Sequence, residues 1–310
     1  MLDIQGGGYL GVALEAVSGT YQAPTKFFPI RSESLQFRQD TNWRRVIRGV
    51  VDVLGAVQGA AHVEGDIEME ILEDVLPYFL SVSRNTLVKS GTGPYTYTTT
   101  PLHGAIPAKT MSVTVVRAGI VFGYTGCVVG SMNYSVDNGM GIVTFSMFGN
   151  NEATQSTPVA PAFSDSAPYG MGSYNIQVPT GVQIFDADTF SFQVEDNASS
   201  EVRLKDTPGA AYSRFGERAV TLSMDRDFTD RAEYDAFKTL TAQSITITLQ
   251  KDANHKVQFK APVAIKDTYD VSGLAGQGDL VRASIAYQGV YDPGTSKAYE
   301  IQVTTAENLT

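Results

Sequence analysis

Ser34-Leu35-Gln36-Phe37, running on through Asp40-Thr41-Asn42, is answered later in the chain by Thr189-Phe190-Ser191-Phe192, running on through Glu195-Asp196-Asn197. In both stretches apolar residues alternate with polar ones, which is the period of a strand with one buried face. Both strands run into an asparagine turn. The same alternation recurs at Ile67, Met69, Ile71; Met111, Val113, Val115; Val143, Phe145, Met147; Val220, Leu222, Met224; Ile245, Ile247, Leu249; and Ala283, Ile285, Tyr287. Helical periodicity is scarce, so the chain is expected to be mainly β.

Working outward from the matched pair, the two halves keep the same order, the mark of an internal duplication. A polar, partly basic segment follows, 43–63 and 198–218, and then a second strand, 66–71 and 219–224. Each half next holds its one helix-like stretch, 72–80 and 230–240. Pro77 limits the first to a turn or breaks it. Thr229 or Asp230 can cap the second, with Tyr234, Phe237 and Leu240 on one face. Three further strands pair off as 111–116 with 244–249, 120–124 with 256–260, and 142–148 with 280–288, preceded by matched extended segments 128–136 and 263–271. Met147-Phe148-Gly149 closes one half as Tyr287-Gln288-Gly289 closes the other. Asp137-Asn138-Gly139 is a hairpin signal, and Ser272 to Asp279 is a looser glycine-rich connection. The stretch 81–109 has no counterpart and reads as an insertion, with Tyr95-Thr96-Tyr97-Thr98 fitting a half-buried strand of an exposed hairpin. The expected organisation is an arm (1–33), a first unit (34–160, insertion 81–109), a second unit (161–295) and a tail (296–310).

At 310 residues the length predicts two packed cores. No window approaches the roughly 20 apolar residues of a membrane helix. Met1 to Gln5, followed by Gly6-Gly7-Gly8, lacks the basic and apolar regions of a signal peptide, so synthesis in a cytoplasm is expected, with no membrane association. Cys127 is the single cysteine and reads as a small buried thiol. With 23 Lys+Arg against 33 Asp+Glu the net charge is -10, a field that repels phosphates and disfavours tight nucleic-acid binding.

Catalytic and metal patterns are missing from the sequence. His62, His103 and His255 are far apart, and no GxSxG elbow, P-loop or CxxC occurs. No enzyme activity, metal or cofactor is expected. Two surfaces stand out instead. Asp66, Glu68 and Glu70 alternate with Ile67, Met69 and Ile71, so one strand face is strongly negative. Trp43, Arg44, Arg45 and Arg48, continuing into Val51 and Leu54, combine arginine and aliphatics in one loop, the composition of a protein interface; Arg203 lies in the matching segment of the second half.

The order of strands resembles the tail tube (major tail) proteins of long-tailed phages. The residues that carry the resemblance are Ala13-Leu14-Glu15-Ala16-Val17-Ser18-Gly19-Thr20-Tyr21-Gln22-Ala23-Pro24, followed by Phe27 to Leu35 with its Ser32-Glu33-Ser34. The resemblance implies two tandem β-barrel or sandwich units, each with one short flanking helix, contributing strands to a ring-shaped barrel. It further implies a virion structural protein made in the host bacterial cytoplasm. Rings would stack through segments 42–60 and 197–217 around a DNA-wide lumen, which Asp66, Glu68 and Glu70 are placed to line. Single-unit members form six-membered rings, so a two-unit chain is expected to form a trimer with pseudo-sixfold symmetry. The expected partners are the chain itself, the tape measure protein, and double-stranded DNA passing without specific binding. A β-sandwich carbohydrate-binding or other interaction module is the alternative.

Overall fold

The structure, a computed structural model, describes residues 8–47, 49, 51–104, 109–154, 158–163, 166–203, 209–210, 212–229, 231–273 and 280–309. The first half contains β1 (Tyr9–Leu14), β2 (Lys26–Phe28), β3 (Ser32–Glu33), β4 (Gln36–Arg44), β5 (Gly55–Glu70), α1 (Leu76–Ser81), β6 (Asn85–Ser90), β7 (Tyr95–Pro101), β8 (Met111–Arg117), β9 (Ile120–Asp137), β10 (Met140–Gly149) and β11 (Asn151–Thr154). The second contains β12 (Tyr174–Gln177), β13 (Gln183–Ile184), β14 (Ala187–Glu195), β15 (Ser199–Glu201), β16 (Tyr212–Arg214), β17 (Ala219–Asp227), α2 (Ala232–Lys238), β18 (Gln243–Gln250), β19 (Lys256–Val271), β20 (Arg282–Gly289) and β21 (Glu300–Thr305). The molecule is mainly β, and among the described residues the strand pairings are antiparallel apart from one isolated bridge.

Eight strands lie side by side in the order β4–β5–β10–β9–β14–β17–β20–β19. The central contact, β9 with β14, joins the two halves, with Ser135 opposite Ser191, Asn133 opposite Gln193 and Ser131 opposite Glu195. The long strands β9 and β19 each leave this row at one end and enter a second layer. There β9 pairs with β8 and β11, and β19 with β18 and β21. A bulge marks each of these bends, so the sheet folds over itself instead of closing. The barrel expected from the resemblance is therefore absent within one chain: among the described strands the sheet is open.

Alternation sends Ile67, Met69, Phe145, Tyr134, Phe192, Leu222 and Ile285 to one side, where they are buried. The two cores expected from length are one continuous cluster, because the β9–β14 pairing leaves no gap between halves. Tyr134 lies 4.4 Å from Phe259 and 6.4 Å from Phe192, ring centre to ring centre, so aromatics from both halves share the middle. Cys127 is fully buried there, and burial pushes its thiol pKa up.

Both helices are short. Pro77 opens α1, where its missing N–H has no intrahelical partner to lose, so it starts the helix rather than breaking it. In α2, Tyr234 and Phe237 pack on the core as expected. Leu240 does not: it lies past the helix end with φ +50 and is 65% exposed. No side chain caps α2 at Arg231, and Asp230 lies outside the described residues. The hairpin turn at Asn138 (φ 49) and Gly139 (φ 77) has the left-handed pair such a turn requires. Of the Ser272 to Asp279 connection, 274–279 lie outside the described residues. Within the 81–109 stretch, of which 105–108 lie outside the described residues, β6 and β7 form a hairpin and β7 pairs with β21, so Tyr97 and Thr99 are buried while most of β6 and the turn are exposed.

The Glu15 carboxylate of the opening arm is buried and accepts four hydrogen bonds. They come from the amides of Gly19 (2.7 Å) and Gly126 (2.8 Å) and the hydroxyls of Thr110 (2.6 Å) and Ser112 (2.8 Å). It pins the arm to β8 and β9. Replacing Glu15 with alanine strands these donors and is expected to lower stability by about 2–4 kcal/mol. A urea titration checks this as a lower midpoint at unchanged slope.

Candidate assembly surfaces

The side of the eight-strand row that faces away from the core is mostly polar, interrupted by Ile142, Phe148, Ile265 and Ala286. Crossing it from β5 to β19 gives Glu64, Asp66, Glu68 and Glu70; Thr144 and Ser146; Ser131, Asn133 and Ser135; Ser191, Gln193 and Glu195; Thr221, Ser223 and Asp225; Ser284 and Gln288; and Thr268 and Asp270. The three carboxylates expected on one face do share it, with Asp66 exposed and Glu68 and Glu70 half-buried. Arg38 lies 3.4 Å from Glu64, and Arg31 lies 3.6 Å from Glu68 and 3.1 Å from Asp137. The remaining polar residues of this surface escaped the sequence reading. Their signal is present, as Ser, Thr, Asn and Gln at alternate positions, but only the β9–β14 pairing makes them one surface.

The second surface is at one end of the row. The segment expected to be a loop after the first strand is largely strand: β4 runs on to Arg44 and β5 begins at Gly55, paired Trp43 to Ala56 and Arg44 to Gly55. Every residue of this outer part of β4 is exposed, so neither face is buried and no apolar alternation marks it in the sequence. The result is a projecting hairpin arm. Trp43 is 61% exposed and Ile47 and Val51 are wholly so, while Val46, Val53 and Val57 are about half exposed. Leu54 is half-buried and its amide donates to the Arg44 carbonyl at 3.1 Å. Arg44 and Arg45 are exposed; Arg48 lies outside the described residues. In the second half the corresponding segment is a smaller hairpin, β15 with β16, where Arg203 and Arg214 lie 3.5 and 3.4 Å from Glu201. Residues 204–208 of it lie outside the described residues.

The arm and the Glu195 end of β14 point the same way along the row. At the opposite end stand the Asn138-Gly139 turn and the exposed Met171, Phe185 and Leu280. The molecule thus presents different apolar groups at its two ends, which suits head-to-tail stacking of copies. No helix among the described residues is long and apolar enough to cross a membrane, and no group of three His, Cys, Asp or Glu gathers there to hold a metal.

A comparison with curated proteins gives no match. The sequence profile of the phage tail tube protein family matches residues 7–289 of the 310, from the first strand to the end of β20. A mainly antiparallel β chain with an extended polar face and a projecting apolar arm is what a structural, self-associating subunit requires, and this chain belongs to the phage tail tube protein family.

Proposed function

We propose that three copies of this chain close a ring of six tube units, that rings stack through the β4–β5 arm, and that the polar face lines a lumen through which double-stranded DNA is ejected. The observation that carries this is the β9–β14 pairing. It runs between the last strand of one row of four, β4–β5–β10–β9, and the first of another, β14–β17–β20–β19, and the two rows have the same internal order. One chain thus holds two tandem units already joined as neighbours in a ring are joined.

The lumen follows from chemistry. A face dominated by hydroxyls, amides and carboxylates on a chain of charge -10 presents few cations to pair with phosphates and release the counterions condensed on DNA, so DNA slides past it. The tape measure protein would occupy the same space before ejection, and subunits would assemble in the host cytoplasm into the virion tail. Mass photometry of the purified full chain, with negative-stain images, tests the ring. The expected particle has three times the 33.4 kDa chain mass and six lobes of two alternating kinds. A six-chain ring, or a strict monomer at high concentration, would sink the trimer.

A further inference from the structure

We infer that neighbouring chains join through edge pairing of β4 of one copy with the C-terminal part of β19 of the next, in the register of the internal β9–β14 junction, keyed by the Arg38 side chain against Asp267 and Asp270. This rests on the ring proposed above.

The register transfers because the two rows share an irregularity. Along β10, Ser146 opposes Ser131 and Met147 opposes Val129, skipping Gly130. Along β20, Ala286 opposes Thr268 and Tyr287 opposes Lys266, skipping Asp267. The bulge equates Gly130 with Asp267, Ser131 with Thr268 and Met132 with Tyr269. From Met132, the row crosses Phe145 to Ile67; from Tyr269, it crosses Ile285 to Met224. Equating Ile67 with Met224 places Val63 against Val220, and their partners Phe37 and Val194 then correspond. The internal pairs Gln193–Asn133, Val194–Met132 and Glu195–Ser131 therefore become Gln36–Asp270, Phe37–Tyr269 and Arg38–Thr268 between chains.

Both edges are placed for this. Among the described strands β4 pairs with β5 alone, and β19 beyond Ala264 pairs with β20 alone. Unpaired edges are templates for another strand. The start of β4 is limited: the Leu35 amide donates to Glu33 (3.2 Å), and its carbonyl accepts from Arg117 (2.6 Å) and Tyr124 (3.1 Å). The ladder between chains accordingly starts at Phe37. Burial points the same way. At the internal junction Val194 and Tyr134 are fully buried, whereas their counterparts Phe37 and Val271 are half-buried and 40% exposed; Leu35 and Tyr269 are already buried in the single chain.

Charge separates the two junctions. Internally Glu195 faces Ser131 beside Gly130 and Asn133, with no opposite charge across the strands. Between chains Arg38, whose side chain is 55% exposed, faces Thr268 with the exposed Asp267 and Asp270 on either side. Oppositely charged cross-strand and diagonal neighbours favour one pairing and one register.

Paired cysteines test the register, and the native Cys127 is buried and does not interfere. Gln36→Cys with Asp270→Cys brings two exposed positions directly opposite in a pair that does not share ladder hydrogen bonds, the closer kind. Oxidation of the assembled full-length variant is expected to give a covalent three-chain species on a non-reducing gel. Asp40→Cys with Asp270→Cys, four residues and roughly 13 Å out of register, is expected to give none. Arg38→Glu is expected to lower ring yield at least tenfold, and adding Asp267→Arg with Asp270→Arg to restore it; unchanged melting curves exclude a folding defect. Rings that cross-link only through the shifted pair, or through neither, overturn this junction and leave the ring standing. A chain that makes no rings before substitution removes both.

Discussion

Replacing Asp196 with alanine is expected to remove about 3 kcal/mol of folding stability at neutral pH. The Asp196 side chain is 2% exposed at the end of β14, 2.6 Å from Arg218 and 3.8 Å from Arg84, both of them about one-tenth exposed. Its own amide donates to the Gly130 carbonyl at 3.0 Å, so the group stands where the two halves meet. Taking one partner from a buried ion pair leaves uncompensated charge out of water, a loss of about 3–5 kcal/mol in comparable cases. Here the guanidiniums keep other acceptors, Arg84 donating to the Gly216 carbonyl and Arg218 to the Arg84 carbonyl, which places the expectation at the lower end. Burial outweighs the two arginines and holds the carboxyl above its ordinary 3.8. A carboxylate with a raised folded pKa contributes stability that is full below its unfolded pKa and declines as pH rises through the folded one. The gap between the unsubstituted chain and Asp196→Ala should therefore be wider in acid than at neutral pH. Urea titrations at two pH values measure it, and a gap below about 1 kcal/mol at both would show that the pair is dispensable.

Much of this architecture could be read from residues, and the part that could not has one physical cause. Two-residue alternation identifies which side of a strand is buried, but it is blind to a slip of two, because such a slip leaves every side chain on its own face. In the two-unit interpretation the sheet rows pair Leu35 with Phe192, whereas the sequence match paired Leu35 with Phe190, two residues away. Ile67 corresponds to Met224, four residues from the match with Val220. The bulges at Gly130 and Asp267 break this degeneracy, and they exist only in the pairing. On the same interpretation the match of Gly149 with Gly289 needs no shift, and packing leaves neither any latitude. A Cβ on Gly149 would stand 2.9 Å from the Cys127 sulfur, and one on Gly289 would stand 2.9 Å from the Val220 side chain. Both closing glycines are thereby tied to one position. The acidic face was legible because charge at alternate positions is conspicuous; its neutral remainder needed the junction between halves. The arm was legible only through composition, since a hairpin exposed on both faces carries no alternation.

That composition leads to the larger expected effect, Ile47→Asp with Val51→Asp, which should leave the chain folded and the rings formed while abolishing tubes. Both side chains are fully exposed in the single chain, so their substitution should change folding stability by no more than about 0.5 kcal/mol. In a stacked tube each apolar side chain taken out of water contributes about 1.5–3 kcal/mol, so the two together contribute about 3–6 kcal/mol per arm. With three arms at each ring-to-ring contact, acting in concert, the loss far exceeds what a filament can absorb, and buried aspartates add their own desolvation penalty. Trp43 and Val53 flank the same end of the hairpin, so the substitution divides one apolar patch with charge instead of trimming its rim. Sedimentation velocity and electron microscopy on the same sample separate the outcomes. Discrete rings with an unchanged melting temperature assign stacking to the arm. Tubes of ordinary length would move the stacking contact to another surface, and an unfolded chain would mean that the arm is held by its own core after all.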